Sequence, residues 1–156
     1  METKAQFKKD MKIYAVVDGK IKKIENVADI AFSKKMLGDG MAIEPSSNLI
    51  TSPCEGKVAA IYPTKHFIGI KMADNEELLI HIGIDTAELN GDPFETKVSV
   101  GDDIEAGTVL CRADFDFMAE KGYITDVIVI SSTSRIKIVK TDGAVNRNDV
   151  IFETLK

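Results

Sequence analysis

Apolar residues in this chain come in short alternating runs, each closed by Gly, Asp, Asn or Pro, a punctuation that suits β-strands and little else. The runs span Ile13 to Val17, Lys20 to Ile24, Met41 to Ile43, Lys57 to Ile61, Val127 to Ile130 and Arg135 to Val139. Helical signals are few. Asp114 is a suitable N-cap for a turn or two over Phe115 to Gly122, with Gly122 as the stop, and another short turn fits Asp29 to Leu37. The triplet Gly38-Asp39-Gly40 lacks the GxxxxGK(S/T) spacing of a phosphate loop and reads as a tight turn. Asp18-Gly19-Lys20-Ile21 with Ile24 reappears as Glu55-Gly56-Lys57-Val58 with Ile61, and a weaker echo links Val100 to Ile104 with Asn146 to Val150. Two copies of a strand motif packed face to face predict a duplicated all-β sandwich or barrel.

At 156 residues and 44% hydrophobic, the chain has material for one well-buried core, and residues 1–156 are expected to form a single domain. The polar opening Met1-Glu2-Thr3-Lys4-Ala5-Gln6 is no secretion signal, and no apolar run approaches the ~20 residues of a membrane span. A cytoplasmic protein without direct membrane insertion is expected. Cys54 and Cys111 lie among core-like residues and should be free thiols. With 25 acidic against 20 basic residues the net charge is −5, which argues against nucleic acid and anionic lipid as partners.

The chain's two histidines, His66 and His81, sit in apolar runs on either side of Met72-Ala73-Asp74-Asn75-Glu76. That arrangement reads as a β-hairpin. A turn centred on Ala73-Asp74 places His66 directly opposite His81, and one centred on Asp74-Asn75 makes them diagonal neighbours on the same face. A loop with an odd number of residues would break the pairing, unless a bulge restored it. Neutral imidazole offers a ring nitrogen that can attack phosphorus or bind a metal. In a pair, one ring can accept a phosphoryl group while the other donates a hydrogen bond to its oxygens.

Lys35 to Pro45, Thr64 to Ile70, Leu79 to Thr86 and Leu89-Asn90-Gly91 together strongly resemble the glucose-type IIA component of the bacterial phosphoenolpyruvate-dependent sugar phosphotransferase system, from about Tyr14 to Ser132. The resemblance implies a compact antiparallel β-sandwich, a barrel-sandwich hybrid with internal duplication and one or two short helices. It also implies a carrier that takes phosphate from the histidine phosphocarrier protein and passes it to the IIB domain of a sugar permease, without a metal or other cofactor. His81, in His-x-Gly-x-Asp, matches the phosphorylated residue, and His66, in Thr-x-His, matches its stabilising partner. Thr64 and Asp85 fall on neighbouring site positions. Phe32 falls on the apolar docking rim, with Phe67 and Ile82 as further apolar candidates. With no permease segment attached, a free-standing subunit is implied.

This sequence departs from the family in Tyr14-Ala15-Val16-Val17-Asp18-Gly19, where a Ser-Pro-Val-Ser-Gly-like turn is usual, in Thr125-Asp126-Val127, where Thr-Pro-Val is usual, and in a long, regular tail from Ser134 to Lys156. Two rival readings fit less well. A zinc hydrolase using His66, His81 and Asp85 lacks supporting ligands, including the His-x-His of lysostaphin-type peptidases. A biotinyl or lipoyl module needs a modifiable lysine at a hairpin tip, which Lys35-Met36 does not resemble.

Overall fold

The structure, a computed structural model, describes residues 11–73 and 76–155. Strands dominate. In chain order they are β1 (Met11–Tyr14), β2 (Gly19–Lys23), β3 (Asp39–Pro45), β4 (Leu49–Thr51), β5 (Gly56–Ile61), β6 (Phe67–Lys71), β7 (Glu77–Ile82), β8 (Phe94–Thr96), β9 (Asp103–Ile104), β10 (Val109–Ala113), β11 (Val127–Ser131), β12 (Ile136–Ile138), β13 (Ala144–Val145) and β14 (Val150–Thr154). The helices are α1 (Ile30–Ser33) and α2 (Phe115–Glu120). Asp29 caps α1 by accepting from the Ala31 amide, and Asp114 caps α2 through the Phe117 amide, as the side chains at those positions suggest.

An eight-stranded sheet runs β13-β2-β3-β11-β7-β6-β5-β9, and two three-stranded sheets, β4-β10-β8 and β1-β14-β12, complete the antiparallel sandwich. The large sheet has approximate two-fold order: β2 and β5, opened by the echoed Gly19 and Gly56, take equivalent places on either side of the central β11 and β7. The Ile21 amide donates to the Gly143 carbonyl just as the Val58 amide, on the equivalent strand, donates to that of Asp102. The weaker echo does not coincide with this symmetry, because β9 is matched by β13, which precedes Asn146.

Alternation divides the sheet's side chains. Ile21, Met41, Ile43, Ile68, Ile70, Leu78, Ile80, Ile82, Val127 and Val129 point into the main core between the sheets. The other face carries a smaller cluster in which Ala42, Ile128 and Ile130 are covered by Ile24, Val27 and Phe32, the last from α1. The tail is integral: β14 lies between β1 and β12 and buries Ile151 and Phe152 completely. Cys54 and Cys111 are free and buried, with burial pushing their thiols up to about 12 and about 11.

Gly38-Asp39-Gly40 is not the expected tight turn. Asp39 and Gly40 open β3, where Gly40 pairs with Ile130. Glycine is needed there for proximity, since a Cβ would stand 1.9 Å from the Val129 carbonyl oxygen. Gly40→Ala should therefore push β3 from β11 and cost about 3 kcal/mol or more. Urea unfolding checks this, and an unchanged midpoint would show that the sheet absorbs the methyl group.

Candidate active site

His81 lies on β7, flanked by β6 and β11. Its register partners are Phe67 and Ile128, and the same row continues through Ala42 to Lys22 on β2. These residues share the face that bears the smaller apolar cluster. The hairpin register is one residue away from the first expectation, with Phe67 rather than His66 opposite His81. It is also not the alternative diagonal register. Pairing extends through the Met72 amide to the Glu76 carbonyl, which leaves an odd-numbered loop whose Asp74 and Asn75 lie outside the described residues.

The two imidazoles nevertheless meet, with ring centroids 4.8 Å apart and planes at 78°. Strict alternation does not extend to His66, which precedes β6 and follows Lys65 in the left-handed region at φ 62°. The turn from Tyr62 to Lys65, closed by a 2.7 Å bond from the Lys65 amide to the Tyr62 carbonyl, delivers the His66 ring to the end of β7. Its backbone stays in register, its carbonyl accepting from the Ile82 amide. Tyr62 packs edge-on against His66, and Phe32 packs edge-on against His81 at 4.9 Å.

Each ring is oriented by one hydrogen bond. The Nδ1 of His81 lies 2.8 Å from the Gly83 carbonyl. A carbonyl only accepts, so Nδ1 carries the proton and the Nε2 lone pair is free in the neutral ring. Gly83 can aim its carbonyl this way because its φ of +80° suits glycine, and an added Cβ would stand 2.5 Å from the Thr86 methyl. Thr86 secures the bend by donating its hydroxyl to the Ile82 carbonyl. The Nδ1 of His66 lies 2.6 Å from the Thr64 hydroxyl.

Burial holds both rings in their neutral forms. His66, only 8% exposed, is pushed down to about 4 by burial and then by the nearby His81. Burial also lowers His81, opposed by the Gly83 hydrogen bond and by the Asp29 and Asp85 carboxylates. A stability effect follows from His66. Its proton is bound near pH 4 in the folded chain and near 6.5 in the unfolded chain, so between these values the unfolded state holds more protons. The stabilisation is whole above pH 6.5 and is lost as pH falls through the window, by about 3 kcal/mol at most. Comparing denaturant midpoints of the parent and His66→Gln from pH 7 to 4 should show a steeper decline in the parent. Parallel curves would contradict this account.

Of the other expected site residues, Thr64 is in contact with His66, and Asp85 is exposed, in the left-handed region at φ 62°, at the start of a 3₁₀ turn. Phe67 is half-buried across from His81 and beside Tyr62. Ile82 is not available as a docking contact: the residue after His81 on a strand points the opposite way, and Ile82 is 0% exposed in the main core. Phe32 is largely buried as the wall behind His81 rather than a protruding rim residue. The exposed apolar side chains nearby in sequence are Ile30, Met36 and Leu37, at 69, 70 and 50%. Ile30 opens α1 and Met36 and Leu37 follow it, a helix too short for periodicity to single them out. Gly83 and Asp29 enter the sequence analysis only as a motif glycine and as the start of a short turn, although both bear on His81, the one through its carbonyl and the other through its charge. Among the described residues no group of three or more His, Cys, Asp or Glu side chains is placed to hold a metal ion.

Residues 11–136 match the sequence model of the phosphoenolpyruvate-dependent sugar phosphotransferase system, EIIA 1. The chain is 43% identical over 126 residues to the glucose-specific EIIA component of Staphylococcus epidermidis, covering 80% of this chain and 76% of that protein. It is 42% identical over 131 residues to the glucose-specific EIICBA component of Streptococcus pneumoniae, covering 83% of this chain and 18% of that longer protein. The solved glucose permease IIA from Mycoplasma capricolum superposes with a TM-score of 0.87 at 36% identity, over 98% of this chain and 99% of that one. Sequence and architecture agree, and the chain belongs to the EIIA 1 family of the phosphoenolpyruvate-dependent sugar phosphotransferase system.

Proposed function

We propose that this chain is a cytoplasmic phosphohistidine carrier for a glucose-type permease, with Nε2 of His81 as the atom that bears the phosphoryl group. The observation that carries this reading is the Gly83 carbonyl on Nδ1, which leaves the other nitrogen as a lone pair beside a second imidazole. The Nε2 lone pair attacks the phosphorus carried by the histidine phosphocarrier protein. The donor's N–P bond breaks and its electron pair returns to the donor ring. The product ring on His81 keeps its Nδ1 proton, whose bond to Gly83 becomes charge-assisted and stronger. Onward transfer to the IIB domain reverses the bond changes, so the imidazole leaves as it arrived.

His66 supplies the stabilising donor. With the Thr64 hydroxyl donating to its Nδ1, the proton sits on Nε2 and is available to the phosphoryl oxygens. Such transfers pass through a loose, metaphosphate-like transition state, in which positioning and charge stabilisation do most of the catalysis. Phe32 behind His81 excludes water that would hydrolyse the N–P bond. Ile30, Met36 and Leu37 form the apolar docking rim, and the Asp29 and Asp85 carboxylates favour partners with cationic groups. The EIICBA relative, named for IIA, IIB and IIC together, supports the choice of IIB as acceptor.

The test is incubation with phosphoenolpyruvate, the first enzyme of the system and the phosphocarrier. An acid-labile, base-stable adduct on His81 is the expected product. Absence of such an adduct under conditions that phosphorylate the Staphylococcus epidermidis relative would end this reading.

A further inference from the structure

Asp126 is a carboxylate only 4% exposed, just before β11 and next to the loop that aims His81. A carboxylate buried to that extent keeps its charge only if a cation meets it. Lys22 does so from β2, two strands away in the sheet, with its Nζ 2.7 Å from Asp126 Oδ2 and 3.3 Å from Glu44 Oε2. Burial lowers the Lys22 ammonium, but the pull of Asp126 and then of Glu44 outweighs it, so the net shift is upward.

The backbone of the same residue reaches the site. The Asp126 carbonyl accepts from the Gly83 amide at 2.8 Å, and the Ile124 carbonyl accepts from the Ile84 amide at 2.9 Å. Gly83 is therefore held from both ends of its residue. Its amide is moored to Asp126 and its carbonyl takes the Nδ1 proton of His81. Two hydrogen bonds thus link residues 124–126, through Gly83, to the imidazole.

We propose that Lys22 is a positioning residue for His81, acting through Asp126 and the Gly83 carbonyl. This rests on the carrier reading for its consequence, though the coupling itself does not. If Lys22 is removed, the buried carboxylate loses the cation that compensates it and must turn toward water, which pulls on the segment that moors Gly83. The carbonyl then leaves Nδ1, and the ring loses the bond that both orients it and favours its protonated form.

The experiment measures the His81 imidazole by NMR in Lys22→Met and in Lys22→Met/Asp126→Asn, without any partner protein. In the single variant the His81 midpoint should fall and its Nδ1–H should exchange faster with water. In the double variant, which leaves no buried charge orphaned because Glu44 is exposed to water, both should return toward the parent. Phosphoryl acceptance should follow, dropping about tenfold or more in the single variant and recovering to within about threefold in the double one. Lys22→Gln keeps a neutral donor to the carboxylate and gives the same test with a smaller shift should Lys22→Met not fold. A folded Lys22→Met or Lys22→Gln protein with an unchanged His81 midpoint and Nδ1–H exchange overturns the proposal, as does a double variant that behaves like the single one. Failure of the parent to accept phosphate would instead remove the carrier reading and leave the NMR result standing.

Discussion

His81→Gln should accept no phosphoryl group at all. Glutamine can donate to the Gly83 carbonyl and fill much of the same volume, so the fold and the ring contacts around it should survive. Its amide nitrogen, however, has no lone pair available to attack phosphorus. No neighbouring group makes up the loss, because His66 has its Nδ1 engaged by Thr64 and is held by its own turn rather than by Gly83. The measurement is transfer of labelled phosphate from phosphoenolpyruvate, with circular dichroism to show the variant folded. Labelling of a folded His81→Gln protein at the parental rate would place the acceptor elsewhere.

The second large effect separates loading from delivery. His66→Gln keeps the His81 nucleophile and its Gly83 bond, so given time it should still become phosphorylated. Its delivery to the IIB domain should fall by about a hundredfold or more, the usual cost of losing one donor aimed at developing charge. The Thr64 hydroxyl, 2.6 Å from Nδ1, fixes the orientation of the imidazole and has no equivalent hold on an amide, which can rotate. A single-turnover chase of the phosphorylated variant with a IIB domain checks this. Parental delivery rates would remove His66 from the mechanism.

These expectations were largely readable from the sequence, but for uneven reasons. Local chemistry was the clearest: the Asp114 cap and the strands at Lys20 and Lys57 depend on neighbours in the chain. The meeting of the histidines was anticipated, yet for an incomplete reason. The hairpin register is set by a loop whose composition, Met72 to Glu76, contains no Gly or Pro to dictate its length, and the rings meet because Lys65 adopts a left-handed conformation. Gly40 illustrates the other difficulty, since glycine serves turns and close backbone approach equally well. Ile82 was misplaced as a surface residue although the alternation rule, applied to its neighbour His81, sends it inward. Lys22 and Asp126 could not be paired in advance, because their meeting depends on which strands lie between them.

The position of β14 between β1 and β12 bears on how the molecule is made. Synthesis proceeds from the amino end, so β1 is made before its mate, which emerges only after the intervening strands have been translated. Throughout that interval the nascent chain presents an unpaired edge that a second copy, or a chaperone, can capture. The closing of that small sheet therefore waits for its carboxyl-terminal strand.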